Sequence, residues 1–179
     1  EVSVLSFTDG KTLIPMISSM DHKRALDGDM GLNTGGMGTI APNPYYTKEI
    51  AEQCMKEIFL PTIAAMNAEN RTFTGCLYFG LMLTADGPKV IEYNCRFGDP
   101  ETQVVLPLLE SDLLEIMMHI YDGTLDEAEV KFSTDSACCV VMASSGYPAK
   151  YETGFEITMP KGKNIYVAGA KLADGKLVT

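Results

Sequence analysis

Apolar and polar residues alternate from the first positions of the chain. Val2, Val4 and Ser6 fall on one side of an extended segment, and Ser3, Leu5 and Phe7 on the other. This is the period-two pattern of a β-strand. Asp9-Gly10 then reads as a hairpin turn into a second strand over residues 12–17. Residues 18–44 are polar, carry several glycines and show little periodicity. They read as a long loop, a kind of segment that is usually functional or mobile. Over residues 47–68 the spacing turns helical, with Ile50, Cys54, Ile58 and Phe59 on one side. Pro61 is expected to kink or break that helix. Residues 75–84 and 88–95 form two strand runs joined by Ala85-Asp86-Gly87, a second hairpin. Asp99-Pro100-Glu101 predicts a helix start, with Asp as the cap, Pro at the first helical position and Glu at the positive end of the helix dipole. Another helix is predicted from Ser111 to about Gly123. Residues 124–136 are acidic and polar and read as a linker. A strand follows over residues 137–143, then a turn at Gly146-Tyr147-Pro148 and short strands near residues 165–167 and at Lys171-Leu172. The pattern predicts an α+β unit over residues 1–123, the linker at 124–136, and a smaller β-rich unit over 137–179 that is unfinished at its C-terminal side.

Composition narrows the classes of function. The chain has 179 residues, 46% of them hydrophobic and 21% charged, a globular balance. With 24 acidic against 14 basic residues the formal net charge is -10. That argues against non-specific binding to nucleic acid or an anionic membrane, each of which needs a basic surface. Small phosphorylated ligands remain compatible, since they need only a few local cations. The longest apolar runs are strand-sized, well short of a membrane helix, and no signal peptide is visible. Glu1 at the start and the apolar run 176–179 at the end read as cut ends, so the length is expected to be that of a piece. Five cysteines (Cys54, Cys76, Cys95, Cys138 and Cys139) are scattered without a C-x-x-C. Four sit in apolar, strand-like contexts. They are expected to be buried reduced thiols, which points to the cytoplasm.

The most informative segment for chemistry runs from Val90 to Gln103. On a strand, Glu92, Asn94 and Arg96 point one way with neighbours about 7 Å apart. Ile91, Tyr93 and Cys95 then point the other way, toward a core. A carboxylate and an amide oxygen at that spacing are hard ligands, suited to a Mg²⁺ that bridges nucleotide phosphates. Arg96 would add a fixed positive fork for charge developing on a phosphoryl or acyl-phosphate group. After Gly98 the predicted helix would offer backbone N–H groups to an anion, with the Asp99 carboxylate competing for the same place. Taken alone, Glu-x-Asn-x-Arg is also what the solvent face of any antiparallel strand looks like. A second segment pairs Asp21-His22-Lys23-Arg24, a basic cluster in an acidic chain, with Asn33-Thr34-Gly35-Gly36-Met37-Gly38, a turn whose backbone can approach a ligand closely. No Lys-Ser or Lys-Thr follows those glycines, so this is not a P-loop. Each element alone equally suits a solvated loop. His22 lacks a partner at ligand spacing, His119 reads as a packing or surface residue, and no Ser-His-Asp or Cys-His arrangement suggests acyl-enzyme chemistry.

Taken together, these residues resemble the phosphoribosylamine–glycine ligase family of ATP-grasp enzymes. The run Arg96-Phe97-Gly98-Asp99-Pro100-Glu101-Thr102-Gln103 is similar to that family's signature. Asp21-His22-Lys23-Arg24, Asn33-Thr34-Gly35-Gly36-Met37-Gly38, Gly75-Cys76-Leu77-Tyr78 and Gly169-Ala170-Lys171-Leu172-Ala173-Asp174 match in order and spacing. The resemblance implies the C-terminal half of an ATP-grasp domain, an antiparallel sheet with flanking helices, plus part of a β-rich domain. It implies ATP as co-substrate, Mg²⁺ or Mn²⁺ as the metal, and glycine and 5-phosphoribosylamine as the other small-molecule partners. Glycine would be activated as an acyl phosphate and then captured by the amine. By the same resemblance, Glu92 and Asn94 would hold the metal and Arg96 would steady the glycyl phosphate. Asp21, Lys23, Arg24, Asn33, Thr34, Gly35, Gly36, Asp99, Glu101 and Thr102 would line the substrate pocket. The family's chains are more than twice this length, so most of the nucleotide wall is expected on the remainder of the chain and the 179 residues are expected to turn over little alone. Two other classes stay open: a non-catalytic module for a small phosphorylated ligand, and an ATP-grasp ligase with a different acceptor.

Overall fold

The computed structural model describes residues 1–162 and 164–179. The opening alternation forms β1 (Val2–Thr8), which turns through Asp9-Gly10 into β2 (Leu13–Pro15). One Asp9 carboxylate oxygen closes that turn by accepting from the Lys11 and Thr12 amides at 2.9 and 2.7 Å. All of β1 is buried, because it is an inner strand with cover on both faces.

The 18–44 stretch is not one loop. It holds β3 (Met20–Asp21), β4 (Arg24–Leu26), β5 (Met30–Asn33) and β6 (Gly38–Ala41). These strands are too short for a period to show in the sequence. β4 and β5 form a hairpin whose turn uses positive φ at Gly28 and Asp29. α1 (Lys48–Cys54) is capped by the Thr47 hydroxyl and continues through a π-helical turn (Met55–Phe59) into α2 (Leu60–Ala68). Pro61 therefore does not break the helix. Proline has no N–H to donate, and the wide turn just before it, in which Leu60 donates to the Met55 carbonyl, takes up the defect. β7 (Gly75–Thr84) and β8 (Gly87–Asn94) form the expected hairpin with a two-residue Ala85-Asp86 turn. They extend an all-antiparallel sheet in the order β2-β1-β7-β8.

Beyond the sheet come α3 (Thr102–Val105), a 3-10 turn (Leu106–Leu108) and α4 (Leu113–Asp122). The predicted helix start at Asp99 is a correction. The helix begins at Thr102 with Glu101 at the cap position, and the Asp99 carboxylate instead accepts from the Gln103 amide. α4 begins one residue later than predicted. Asp112, not Ser111, caps it by accepting from the Leu114 and Glu115 amides, and Gly123 closes it in the left-handed conformation. Residues 124–136 are not detached. Leu125 is fully buried, and Ala128, Val130 and Phe132 pack on the core.

β9 (Ala137–Val140) pairs with β6, so the C-terminal segment adds a strand to the earlier part of the chain. β10 (Lys171–Ala173) and β11 (Lys176–Val178) form a last hairpin. The strand expected near residues 165–167 does not form, and Ile165, Tyr166 and Val167 are exposed.

Two cores cover the sheet. Val2, Val4, Leu77, Phe79 and Leu81 meet Phe59 and Ile63 on the helical side. Leu5, Phe7 and Tyr78 meet Val104, Val105, Leu108 and Ile116 on the other. The cysteines are free, but only Cys54 is buried, on a helix. Cys95 and Cys138 are exposed, which corrects the expectation of buried thiols.

Candidate active site

The site is laid out by strand register. Ser3 of β1 stands opposite Gly80 of β7, and Gly80 stands opposite Glu92 of β8. One row further, Leu5 faces Tyr78, and Tyr78 faces Asn94. Just beyond the Glu92 row, on the side away from Asn94, β8 carries a bulge. Glu92 pairs with Gly80 but Val90 pairs with Leu81, so Ile91 is the extra residue. Gly80 has a specific task, because a Cβ there would lie 2.9 Å from Cγ of Glu92 and 3.3 Å from the Tyr78 ring. Its bare backbone lets the Glu92 side chain lie across the sheet beside Tyr78. Asn94, two residues on, shares that face.

The opposite face of β8 is not the core expected from alternation. Ile91 and Tyr93 are each 48% exposed and Cys95 is exposed. β8 is an edge strand and its bulge turns Ile91 outward. Only Tyr93 finds cover, edge-on to Phe79 and within 3.2 Å of the Thr62 hydroxyl.

Beneath the metal-type residues lies a buried polar network. Glu101 is 4% exposed and accepts from Tyr78 Oη at 2.9 Å and from Ser3 Oγ at 3.3 Å; the two hydroxyls are 2.7 Å apart. Burial and the adjacent Glu101 charge push the Tyr78 phenol well above its usual range. Glu101 folds back beneath Gly98, and a Cβ at Gly98 would collide with its carboxylate. This position at the start of α3, where an anion cradle was expected, is thus filled by Glu101. α3 is in any case only one turn long.

The two motifs of the long polar stretch are zipped together. His22 donates its amide to the Gly38 carbonyl, Met37 to His22, and Thr34 to Lys23, at 2.8 to 2.9 Å. The Thr34 hydroxyl adds a bond to the Lys23 carbonyl at 2.9 Å and accepts from the Gly36 amide at 3.0 Å. Gly36 has φ +122°, and a Cβ there would lie 2.7 Å from Oδ1 of Asp21 and against Pro100. The loop backbone is thereby pressed onto Asp21 and the Asp99–Glu101 turn. Desolvation, reinforced by the Glu101 charge, raises the Asp21 carboxyl to about 6. Its Oδ1 atom is buried without a hydrogen-bond partner among the described residues. Lys23 binds Glu1 at 3.1 Å. Burial works to lower the pKa of this lysine, but Glu1, Glu92 and Asp21 outweigh it and hold the ammonium above its ordinary range.

The structure thus gathers Asp21, Lys23, Thr34, Gly36, Glu92, Asn94 and Glu101 at one end of the sheet. Arg24 and Asn33 lie on the β4–β5 hairpin, where the Arg24 guanidinium donates to the Gly31 carbonyl at 2.9 Å. Arg96 lies beyond the end of β8, so strand alternation does not aim it; it is exposed and donates to the Phe97 carbonyl at 2.8 Å. Asp99 and Thr102 flank the same turn, with Gln103 donating to Asp99 at 2.6 Å. Sequence reasoning missed Ser3, Gly80 and Tyr147. A glycine inside a strand was the available signal for Gly80. Tyr147, far along the chain, accepts from the Gly35 amide at 3.1 Å and packs edge-on to Tyr151.

Glu92 and Asn94 supply two hard oxygen donors on one face. Among the described residues no group of three or more His, Cys, Asp or Glu side chains is disposed to hold a metal. That donor set suits a cation bound by one or two protein ligands and completed by substrate phosphates and water, the habit of Mg²⁺.

The chain is similar to known proteins over nearly its whole length. Residues 1–102 match the family described as phosphoribosylglycinamide synthetase, ATP-grasp (A) domain, and residues 137–179 match the C domain of the same synthetase. A phosphoribosylamine–glycine ligase of Clostridium acetobutylicum is 48% identical over 177 residues, covering 98% of this chain and 42% of that protein. The trifunctional purine biosynthetic protein adenosine-3 of Bos taurus is 50% identical over 185 residues, covering 100% of this chain and 18% of its own length. The crystal structure of a phosphoribosylamine–glycine ligase from Thermotoga maritima superposes with a TM-score of 0.89 at 36% identity, covering 99% of this chain and 44% of that one. An L-amino acid ligase from Bacillus licheniformis shares the fold, with a TM-score of 0.53 at 18% identity over 81% of this chain and 34% of that one.

Proposed function

The chain belongs to the phosphoribosylglycinamide synthetase family, and on that premise we propose that it carries the metal-binding wall of an ATP-dependent ligase joining glycine to 5-phosphoribosylamine. The chain spans about two-fifths of the bacterial relatives it matches. The whole reaction therefore draws on the length those relatives have in addition. ATP would phosphorylate the glycine carboxylate, and the amine would displace phosphate from the acyl phosphate, giving glycinamide ribonucleotide, ADP and phosphate.

The observation that carries this reading is the placement of Glu92 and Asn94 across Gly80 and Tyr78, over a buried Glu101 and beside Asp21 and Lys23. In this reading Glu92 and Asn94 hold Mg²⁺ or Mn²⁺. The ion would neutralise charge on the phosphates of ATP while they react. Arg96, already free of the sheet, steadies the acyl phosphate. Lys23 supplies a local cation, and Asp21, Thr34, Gly35, Gly36, Asp99 and Thr102 line the substrate pocket. Arg24 and Asn33 stand at its outer edge. Glu101 orients Tyr78 and Ser3 below it. Phosphoryl transfer of this kind depends on positioning and charge neutralisation, which a rigid sheet face provides.

We further propose a division into an ATP-grasp part to residue 123, a connection at 124–136 and a C-domain part from 137. The free cysteines support a reducing compartment, the cytoplasm, and among the described residues no helix is long and apolar enough to cross a membrane. The test is ADP release with glycine, 5-phosphoribosylamine and Mg²⁺. A chain of the relatives' length containing these residues should show release that depends on both substrates, and the 179 residues alone should show little. Release that ignores glycine but responds to another acceptor would move the protein to a different ligase.

A further inference from the structure

Four consecutive backbone amides run along the turn of residues 34–37, and all four are engaged. Thr34 donates to the Lys23 carbonyl at 2.8 Å, Gly35 to Tyr147 Oη at 3.1 Å, Gly36 to the Thr34 hydroxyl at 3.0 Å and Met37 to the His22 carbonyl at 2.8 Å. The glycine turn is therefore a wall of fixed shape rather than a nest of free N–H groups for an anion. Three of the acceptors belong to His22, Lys23 and Thr34, close by in the chain. The fourth is a side-chain hydroxyl 112 residues further along. The Gly35 amide is thus the one donor in the turn that depends on the C-terminal segment.

The phenol is held in place from behind. Val141, just past β9, donates its amide to the Met37 carbonyl at 3.0 Å, which ties the segment to the far end of the same turn. The chain then doubles back. Tyr147 donates its amide to the Ser144 carbonyl at 3.1 Å, and Ala149 to the Gly146 carbonyl at 3.0 Å. Gly146 has φ +94°, and a Cβ there would lie 2.5 Å from the Lys150 carbonyl oxygen, so the doubling requires a glycine. The Tyr147 ring, half-buried, packs edge-on to Tyr151 with centroids 5.6 Å apart. A tyrosine on a closed turn with its ring packed has little freedom left, and its hydroxyl is a preorganised acceptor.

We propose that Tyr147 is a positioning residue for the substrate pocket, through which the C-terminal segment sets the shape of the glycine turn. Gly35 lies between Thr34, whose hydroxyl is tied to the Lys23 carbonyl, and Gly36, which is pressed onto Asp21 and Pro100. Play at Gly35 is therefore passed directly to the backbone that meets Asp21 and Pro100. In this role Tyr147 acts through the Gly35 amide and not on the reacting atoms. Its contribution is to substrate fit, since a wall held in one shape spares the ordering that binding would otherwise require. The inference rests on the ligase reading only for the choice of substrates in the kinetic part of its test.

Tyr147→Phe in a chain of the relatives' length tests this, because it removes one oxygen and keeps the ring against Tyr151. Two readouts are compared with the unaltered chain. The first is hydrogen exchange by mass spectrometry without any ligand. The peptide over residues 33–38 should exchange several-fold faster in the variant, with peptides over β1 and β7 unchanged. The second is steady-state ADP release. The KM for glycine or for 5-phosphoribosylamine should rise about 3- to 10-fold, the range expected for one lost hydrogen bond, while kcat stays within about twofold. Unchanged exchange over residues 33–38 would overturn the inference, because the phenol would then not hold the turn. Faster exchange with both KM values unchanged would overturn it as well, and so would a loss of kcat at constant KM, which would place Tyr147 with the reacting atoms. Failure of the ligase reading shows itself differently, as ADP release by the unaltered chain that ignores glycine, and the exchange comparison still decides whether Tyr147 holds the turn.

Discussion

On the side of the sheet turned toward α1 and α2, Val2, Val4, Phe79 and Leu81 pack against Phe59 and Ile63. On the other side the same strands present Ser3, Tyr78, Glu92 and Asn94. Neighbouring residues along one strand thus belong to different problems: Phe79 to stability, and Tyr78 and Gly80 to the site. The period of two separates them, and a rigid apolar face holds the polar face in register. Substitutions on the two sides should accordingly fail in different ways.

The largest effect is expected on the apolar face. Phe79 is fully buried and its ring centroid is 4.2 Å from that of Phe59. Phe79→Ala should cost about 3–5 kcal/mol in chemical unfolding. Retention of full stability would mean the helical side does not anchor the sheet. Next comes the network on the polar face. Tyr78→Phe removes the donor nearest the buried Glu101 carboxylate, and should cost roughly 1–3 kcal/mol while leaving the apolar core intact. A neutral result would show that Glu101 finds another donor.

Asp21 gives a smaller, pH-dependent effect. Its folded carboxyl titrates near 6 against a model-compound value of 3.8, so between those values the folded state binds more protons than the unfolded one. Stability should fall as pH rises through that window and then level off above it. Asp21→Asn should flatten that part of the profile. The difference should be on the order of 1 kcal/mol once solvent screening of a half-buried group is allowed for. An identical slope in both proteins would remove Asp21 as its source. The smallest effect is expected at the bulge, where Ile91→Thr should change stability by no more than about 0.5 kcal/mol, because Ile91 is half exposed on an edge strand. A large loss there would mean that the face of β8 is covered.

Much of this was legible in the sequence wherever a pattern spans several residues. The β1–β2 and β7–β8 hairpins, the helix over 47–68 and the close of α4 at Gly123 follow from periodicity and turn chemistry. The four strands between residues 20 and 41 did not, because each holds only two to four residues and β6 pairs with β3 and β9 at a distance along the chain. Asp99 was misread as a cap because local propensity cannot show that Glu101 would be drawn under Gly98 by Tyr78 and Ser3. The Glu92–Asn94 pair was visible as a pattern, but strand alternation could not aim Arg96, which lies past the end of β8. Nor could it show that the β8 bulge would turn Ile91 outward. Tyr147 had no signal at all, since its partner, the Gly35 amide, lies 112 residues away.

The central claim is that the polar face of β8 is where the divalent ion is held. Its most direct test is the Mg²⁺ dependence of glycine-dependent ADP release in a chain of the relatives' length, compared between the unaltered sequence and Glu92→Gln. The account predicts that the Mg²⁺ concentration for half-maximal rate rises by on the order of 10-fold or more, with little change in the glycine requirement. An unchanged Mg²⁺ dependence would contradict it.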